Sequence, residues 1–320
     1  MKHNVFLTVA AILAAQSVAA PMLQAQDDKG VTFQPAGDTQ LEIRIDGKVF
    51  GVLNHGGDWN KPFLYPVHAP NGANVLRPII PTKDQQGSSK DGTDPFHHKG
   101  VWLSVDSVND ERLNFWHEQD RIVSSSFKTQ TNSDGTGTLT MHNTWMQGDK
   151  PLVKETTTAI IHPSRIAVYR IELAAVDKDV TFHDTKEGFF AVRIAHTMRE
   201  MEGGHITNAD GLKGEQECWG KPTAWIDYYG DVDGKTCGVT LMDHPNNFRE
   251  SRYHVRRYGL FAISPFGPKK YSNNKEPAAP VTISPGKDSL KLTYGLYIHD
   301  GDTAAGEVTV AYEAFLKATK

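Results

Sequence analysis

Cysteine is nearly absent from this 320-residue chain, which has only Cys218 and Cys237. That excludes a small scaffold held by disulfides in place of a core. A basic excess is also lacking: 34 Lys and Arg stand against 38 Asp and Glu, for a net charge of −4. Without a cationic surplus to cover phosphates, nucleic acid is not an expected partner. Long apolar runs are missing too. The longest, Val5 to Ala15, is apolar apart from Thr8, and a membrane-spanning helix needs about 20 such residues. Neither a Gly-based period nor a disordered composition is present, with 38% of positions hydrophobic. Histidine, by contrast, is plentiful at 14.

The first residues have the pattern of an export signal: a basic start at Lys2 and His3, the apolar run, then small residues up to Ala19, Ala20 and Ala25. Residues 1–25 are therefore expected to be removed, leaving one domain over 26–320 in the periplasm or outside the cell. Both cysteines would meet an oxidising compartment. Yet a hairpin built from Thr223–Tyr228 and Thr236–Met242, centred near Val232, sets Cys237 opposite a residue near Asp227. Cys218 is then beyond bridging reach, and two free thiols are expected.

Strand signals dominate the rest. Leu41-Glu42-Ile43-Arg44-Ile45 alternates, turns at Asp46-Gly47 and returns through Val49 to Leu53. Further β runs are Val101–Val108, Val123–Thr131, Thr138–Met146, Leu152–His162 and Arg165–Val176. Others lie at Val180–Asp184, Phe189–His196, Tyr253–Tyr258, Val281–Ser284 and Leu290–His299. Near the end, Asp302 or Thr303 is placed to cap a helix from Ala305 to Lys317, although Glu307 to Tyr312 also alternates as a last strand would. Many short strands without βαβ alternation predict a mostly β fold, a large antiparallel β-sandwich with few helices.

Chemistry-bearing residues gather at turns. His97-His98 follows a polar loop, Lys83 to Thr93, and Asp94-x-x-His97-His98 has the residue types of a divalent-metal set without a helical spacing. Metal is thus the one cofactor the pattern admits; none other is expected. Phe115-Trp116-His117-Glu118 puts an acid beside aromatic surface, where desolvation favours a general acid. Thr185-Lys186-Glu187-Gly188 offers a cation and a base at a strand junction. In Arg252-Tyr253-His254-Val255-Arg256-Arg257-Tyr258 a period of two puts Arg252, His254, Arg256 and Tyr258 on one face. Asp243, ten residues earlier, is expected to join that surface. Tryptophans such as Trp102 and Trp116 are flat platforms of the kind sugar rings stack on.

Taken in order, Tyr65-Pro66-Val67, Arg77-Pro78, His97-His98-Lys99-Gly100-Val101-Trp102, Asn114-Phe115-Trp116-His117-Glu118 and Asp184-Thr185-Lys186-Glu187-Gly188 resemble the bacterial PmoA-like family. So do Trp219-Gly220-Lys221-Pro222, Ala224-Trp225-Ile226-Asp227-Tyr228, Asp243-His244-Pro245-Asn246 and the stretch from His254 to Phe261. The resemblance runs from about Lys61 to Leu296. Lys99, Tyr253 and His117 depart from its usual Arg, Trp and Gly. It implies an exported β protein of carbohydrate-degrading bacteria, with an architecture similar to the supersandwich of sugar mutarotases. The methane chemistry in the family's name does not carry over, because no segment here spans a membrane.

These readings converge on acid/base chemistry on a sugar or glycoside, of epimerase, lyase or hydrolase type. Glu118, His98, His254, Glu187 and His97 are the expected acid/base groups. Arg77, Lys186, Arg256, Trp102, Trp116, Asp243 and Tyr258 are the expected substrate contacts. A carbohydrate-binding protein without catalysis, or a metal-dependent oxidoreductase using His97, His98 and His254, are the alternatives.

Overall fold

The computed structural model describes residues 1, 29–80, 83, 95–110, 112–287 and 289–320. Nearly all of the expected export signal, and Asp94, lie outside the described residues.

In chain order the strands are β1 (Val31–Pro35), β2 (Gln40–Ile45), β3 (Lys48–Asn54), β4 (Phe63–Val67), β5 (Val101–Val105) and β6 (Arg121–Thr131). They continue with β7 (Gly137–Gln147), β8 (Lys150–Ile161), β9 (Ile166–Ala175), β10 (Val180–Phe182), β11 (Gly188–Arg193) and β12 (His205–Asn208). The last are β13 (Trp225–Val232), β14 (Lys235–Asp243), β15 (Arg252–Val255), β16 (Leu260–Ser264), β17 (Val281–Ile283) and β18 (Leu290–Asp300). The α-helices among the described residues are α1 (Gly214–Cys218), α2 (Pro268–Tyr271) and α3 (Val308–Ala318).

Two eight-stranded antiparallel sheets make the mostly β sandwich that the turn-punctuated sequence predicts. The first runs β1-β2-β3-β4-β5-β11-β16-β15 and the second β12-β13-β14-β18-β9-β8-β7-β6, with β10 and β17 paired separately. Alternation decides which side chains meet: Leu41, Ile43 and Ile45 of β2 face Leu139, Ile171, Leu241 and Leu296 of the second sheet in one continuous core. The Asp46-Gly47 hairpin forms with the expected partners Leu41 and Leu53, plus a bulge between Ile43 and Arg44.

Two expectations are corrected, and the choice left open at the chain end is decided for the helix. The second hairpin turns at Asp233-Gly234, so Cys237 lies opposite Gly230 rather than near Asp227. Both cysteines are nonetheless free and buried. The chain end is helical: Val308, Ala311 and Phe315 share one helix face and are buried, whereas strand alternation would have hidden Val310, which is exposed. Asp302 does cap, but it caps the preceding turn, its Oδ1 accepting the amides of Ala304 and Ala305 at 3.1 and 2.8 Å. Finally, β15 stops at Val255. Arg256 and Tyr258 belong to the turn into β16, closed by Gly259 N–H donating to the Arg256 carbonyl at 2.8 Å. The shared strand face therefore holds only Arg252 and His254.

Each sheet also has an outer face. On the second, α3 packs Val308, Ala311 and Phe315 over Ile166, Val168, Trp225 and Met242. On the first, Phe63, Trp102, Ala191, Ala262 and His254 form one cross-strand row over β4, β5, β11, β16 and β15. The two alanines leave room that Trp116, Leu260 and Tyr258 help to fill. This second, smaller layer carries the candidate site.

Candidate active site

Beneath the layer lies a carboxylate between two ammonium groups. Lys99 Nζ donates to both oxygens of Glu118 at 2.6 Å, and Lys61 Nζ stands 3.2 Å from Oε1. The Glu118 side chain is only 3% exposed. Lys61 also donates to the carbonyls of His97 (2.8 Å) and Trp116 (3.1 Å), and its Nζ lies 5.2 Å from the Trp102 ring. Burial lowers the Lys61 pKa to about 8, against the attraction of Glu118. Gly100 makes this approach possible: it has φ +57°, and a Cβ there would lie 1.9 Å from the Leu64 carbonyl oxygen.

This arrangement corrects the role expected of Glu118. Its oxygens are taken up by two cations, a geometry that suits an anchor rather than a group reaching toward a substrate. Arg77 is likewise a clamp, fully buried, with Nη2 donating to the carbonyls of Pro95 (3.2 Å) and His98 (2.6 Å). Trp102 and Trp116 are buried and cannot serve as open platforms; they are the floor. Asp243 is not brought here at all. It ends β14 in the other sheet, where its carboxylate accepts from Asn247 Nδ2 (2.7 Å), Ser251 N–H (2.7 Å) and Ser251 Oγ (3.2 Å). Arg252 is taken up by Glu276 at 2.5 Å and the Gly220 carbonyl at 2.8 Å.

His97 and His98 sit in the loop before β5, their ring centres 4.6 Å apart. His98 stacks on Trp102 and is buried, with Nδ1 lacking a hydrogen-bond partner. Burial drives both imidazoles below their usual range, so they are neutral near pH 7. His97 also lies 4.6 Å from the half-buried His117, whose Nδ1 is 3.0 Å from Asn114 Oδ1. Among the described residues no group of three or more His, Cys, Asp and Glu is arranged to hold a metal ion.

The other end of the row is the rim. Glu187 is 22% exposed, with the 45% exposed Lys186 at 3.7 Å and His254 Nδ1 at 3.9 Å. Burial raises the Glu187 pKa; Lys186 opposes this and Asp106 adds to it. His254 Nδ1 is 3.0 Å from the Lys186 carbonyl, which can only accept, so the proton is on Nδ1 and Nε2 carries the lone pair. Burial first, then Lys186 and Arg256, push this imidazole down to about 3. Tyr258 lies beneath the guanidiniums of Arg193 (5.0 Å) and Arg256 (5.5 Å), and Trp219 and Tyr271 edge His254. Arg256 also pairs with Glu215 at 2.9 Å. Arg193 links the two ends, acting electrostatically on both His98 and Tyr258.

The structure thus sorts the expected residues into a buried group (Glu118, His98, Arg77, Trp102, Trp116), with His97 half-buried at its edge, and a rim group (Glu187, Lys186, His254, Arg256, Tyr258). Sequence reading missed Lys61, Asp106 and Arg193, and took Lys99 only as a variant of a motif. Asp106 ends the run Val101–Val105, and an acid just past a buried strand was the available signal.

Comparison with known proteins bears on this point. The model of a family of unknown function, DUF6807, matches residues 40–313. The chain belongs to that family. The PmoA-like resemblance is thereby corrected: the family that matches is another one, and the shared short motifs of aromatic and ionisable residues did not discriminate. No curated protein matches the chain. Among solved structures, galactose 1-epimerase from Lactobacillus acidophilus NCFM is similar over 85% of this chain and 99% of its own, at 10% identity and TM-score 0.39. The GH36 alpha-galactosidase AgaA from Geobacillus stearothermophilus is similar over 86% of this chain at 7% identity and TM-score 0.44; this chain spans 41% of its length. Heparan sulfate lyase HepC from Pedobacter heparinus gives 10% identity, TM-score 0.33 and coverage of 86% and 36%. What the DUF6807 chain does has to be read from its own side chains.

Proposed function

We propose that this DUF6807 protein is an exported enzyme that performs acid/base chemistry on a sugar or glycoside at the Glu187–His254 rim. The observation that carries the reading is the pairing of two groups in complementary states. Glu187 has a raised pKa at a partly open position, and 3.9 Å away His254 is held neutral, its Nε2 lone pair an acceptor for a hydroxyl. Glu187 can then exchange a proton with one substrate oxygen while His254 orients another. Lys186 and Arg256 are donors suited to hydroxyl or carboxylate oxygens, and Trp219, beside His254, supplies a ring for the apolar side of a pyranose. No step needs a cofactor.

Incubation with a panel of mono- and oligosaccharides, followed by product analysis, tests this. Turnover by the wild type is expected, with Glu187→Gln losing about 10²–10⁴-fold in kcat while ligand binding persists. Binding of a sugar without turnover by the wild type makes the protein a carbohydrate-binding one, and loss of activity on chelation moves it to the metal-dependent class. The export component is read from the mature N-terminus, expected between residues 20 and 26; a protein beginning at Met1 overturns it.

A further inference from the structure

We propose that Asp106 and Glu187 form one carboxylate pair sharing a proton, with Asp106 the second acid/base group of the site. The register places them together. Gly188 of β11 lies opposite Val105 of β5, and one step further the Asp106 amide donates to the Glu187 carbonyl at 3.1 Å. Both residues lie one step past the strand ends, β5 closing at Val105 and β11 opening at Gly188, and this last backbone bond holds them opposite one another, as on paired antiparallel strands, where Cβ atoms are about 4.5–5.5 Å apart. Sheets avoid like charges there, because the repulsion is destabilising. Two carboxyl groups at such a distance are accommodated when one carries a proton, as acid/base dyads do.

A second observation is independent of the register. Asp106 Oδ1 is buried and accepts no hydrogen bond, although buried carboxylate oxygens nearly always have a donor. A shared proton, or a substrate hydroxyl, supplies one. The surroundings divide symmetrically. His117 and Tyr271 feel the charge of Asp106. Glu187 faces Lys186 on its own loop, His254 of β15, Arg256 and Tyr258 of the following turn, and Tyr271 of α2. In the forward step Glu187 delivers its proton to a sugar oxygen while ionised Asp106 removes one from a hydroxyl. The pair ends with the same single proton, now on Asp106.

The pairing stands on geometry alone; the role given to Asp106 rests on the acid/base reading above. Carboxyl-carbon NMR of the Asp- and Glu-labelled chain from pH 3 to 9 tests the pairing. Coupled groups titrate in two shared steps, so both signals are expected to be biphasic in the wild type, which needs no variant to fold. Asp106→Asn should raise the Glu187 acid dissociation constant about tenfold or more, and Glu187→Gln should do the same for Asp106. Single, unchanged titrations overturn the pair. On any sugar that is turned over, Asp106→Asn should lower kcat by about 10²-fold or more, leave KM within a few-fold and remove one limb of the pH profile. Unchanged kcat overturns the role of Asp106 while the sugar reading stands. Coupled titrations with no turnover on any sugar remove the assigned role together with the sugar reading and leave the pair.

Discussion

The two outer faces of the sandwich solve one packing problem in different ways. Over the second sheet a single helix suffices: α3 covers Ile166, Val168, Trp225 and Met242 with three apolar side chains. Beside it, the buried pair of Asp227 and His299 is fully satisfied. Asp227 accepts from Thr240 Oγ1 (2.9 Å), His299 Nε2 (3.0 Å) and Thr303 Oγ1 (2.6 Å), and His299 Nδ1 is 3.1 Å from the Asp300 carbonyl. Both ring nitrogens of His299 thus face acceptors, which fits the imidazolium. Over the first sheet, the covering loops and strand ends bury Lys61, Lys99, Arg77 and Arg193 together with Trp102 and Trp116. They leave His98 Nδ1, Trp116 Nε1, Asp106 Oδ1 and Trp219 Nε1 without hydrogen bonds. Burying charge costs far more than burying aliphatic carbon. The helical face shows that covering a sheet does not require that expense. The polar, incompletely satisfied layer is the one for which a ligand is proposed.

The largest expected effect comes from Glu118→Ala. It leaves two buried ammonium groups unpaired and should cost about 3–5 kcal/mol in denaturant unfolding, with faster amide exchange across residues 95–100. Phe315→Ala should cost a similar amount, about 3–5 kcal/mol, through a cavity beneath α3. The comparison sharpens if the Glu187 titration is then unchanged, and breaks if it moves, because the two faces would not be independent. Thr303→Val removes one charge-assisted bond to Asp227 and should cost about 1.5–3 kcal/mol.

The smallest effect is a pH dependence. Hydrogen bonding and attraction from Asp227 outweigh burial and raise the His299 pKa. Its stabilisation is therefore complete below the ordinary His value of about 6.5 and is lost as pH rises through the folded value. The stability gap between wild type and His299→Gln should narrow on the alkaline side. A gap constant with pH would show that His299 is neutral in the fold.

Local chemistry made much of the fold legible. Alternation and turn residues marked the Leu41–Leu53 hairpin and the long strands β6 to β9, because a half-buried strand writes its period into the sequence. Short strands with little or no exposed face, such as β4 and β16, show no alternation and are not legible in the sequence. Glu187, His254 and Lys186 were legible as ionisable residues at strand ends. Glu118 was legible as a buried acid but not in its role, since the lysines that pair with it come from positions 61 and 99.

By itself, then, the sequence determined the β class, the lack of a net basic excess, the free thiols and the segments that carry ionisable groups. All of these depend on neighbours along the chain or on composition. The tertiary structure alone decided that β5 lies beside β11, which sets Asp106 against Glu187, and that Asp243 ends in the other sheet. Proton affinity depends on burial and on charges a few ångströms away in space, and strand order, not strand identity, determines which charges those are.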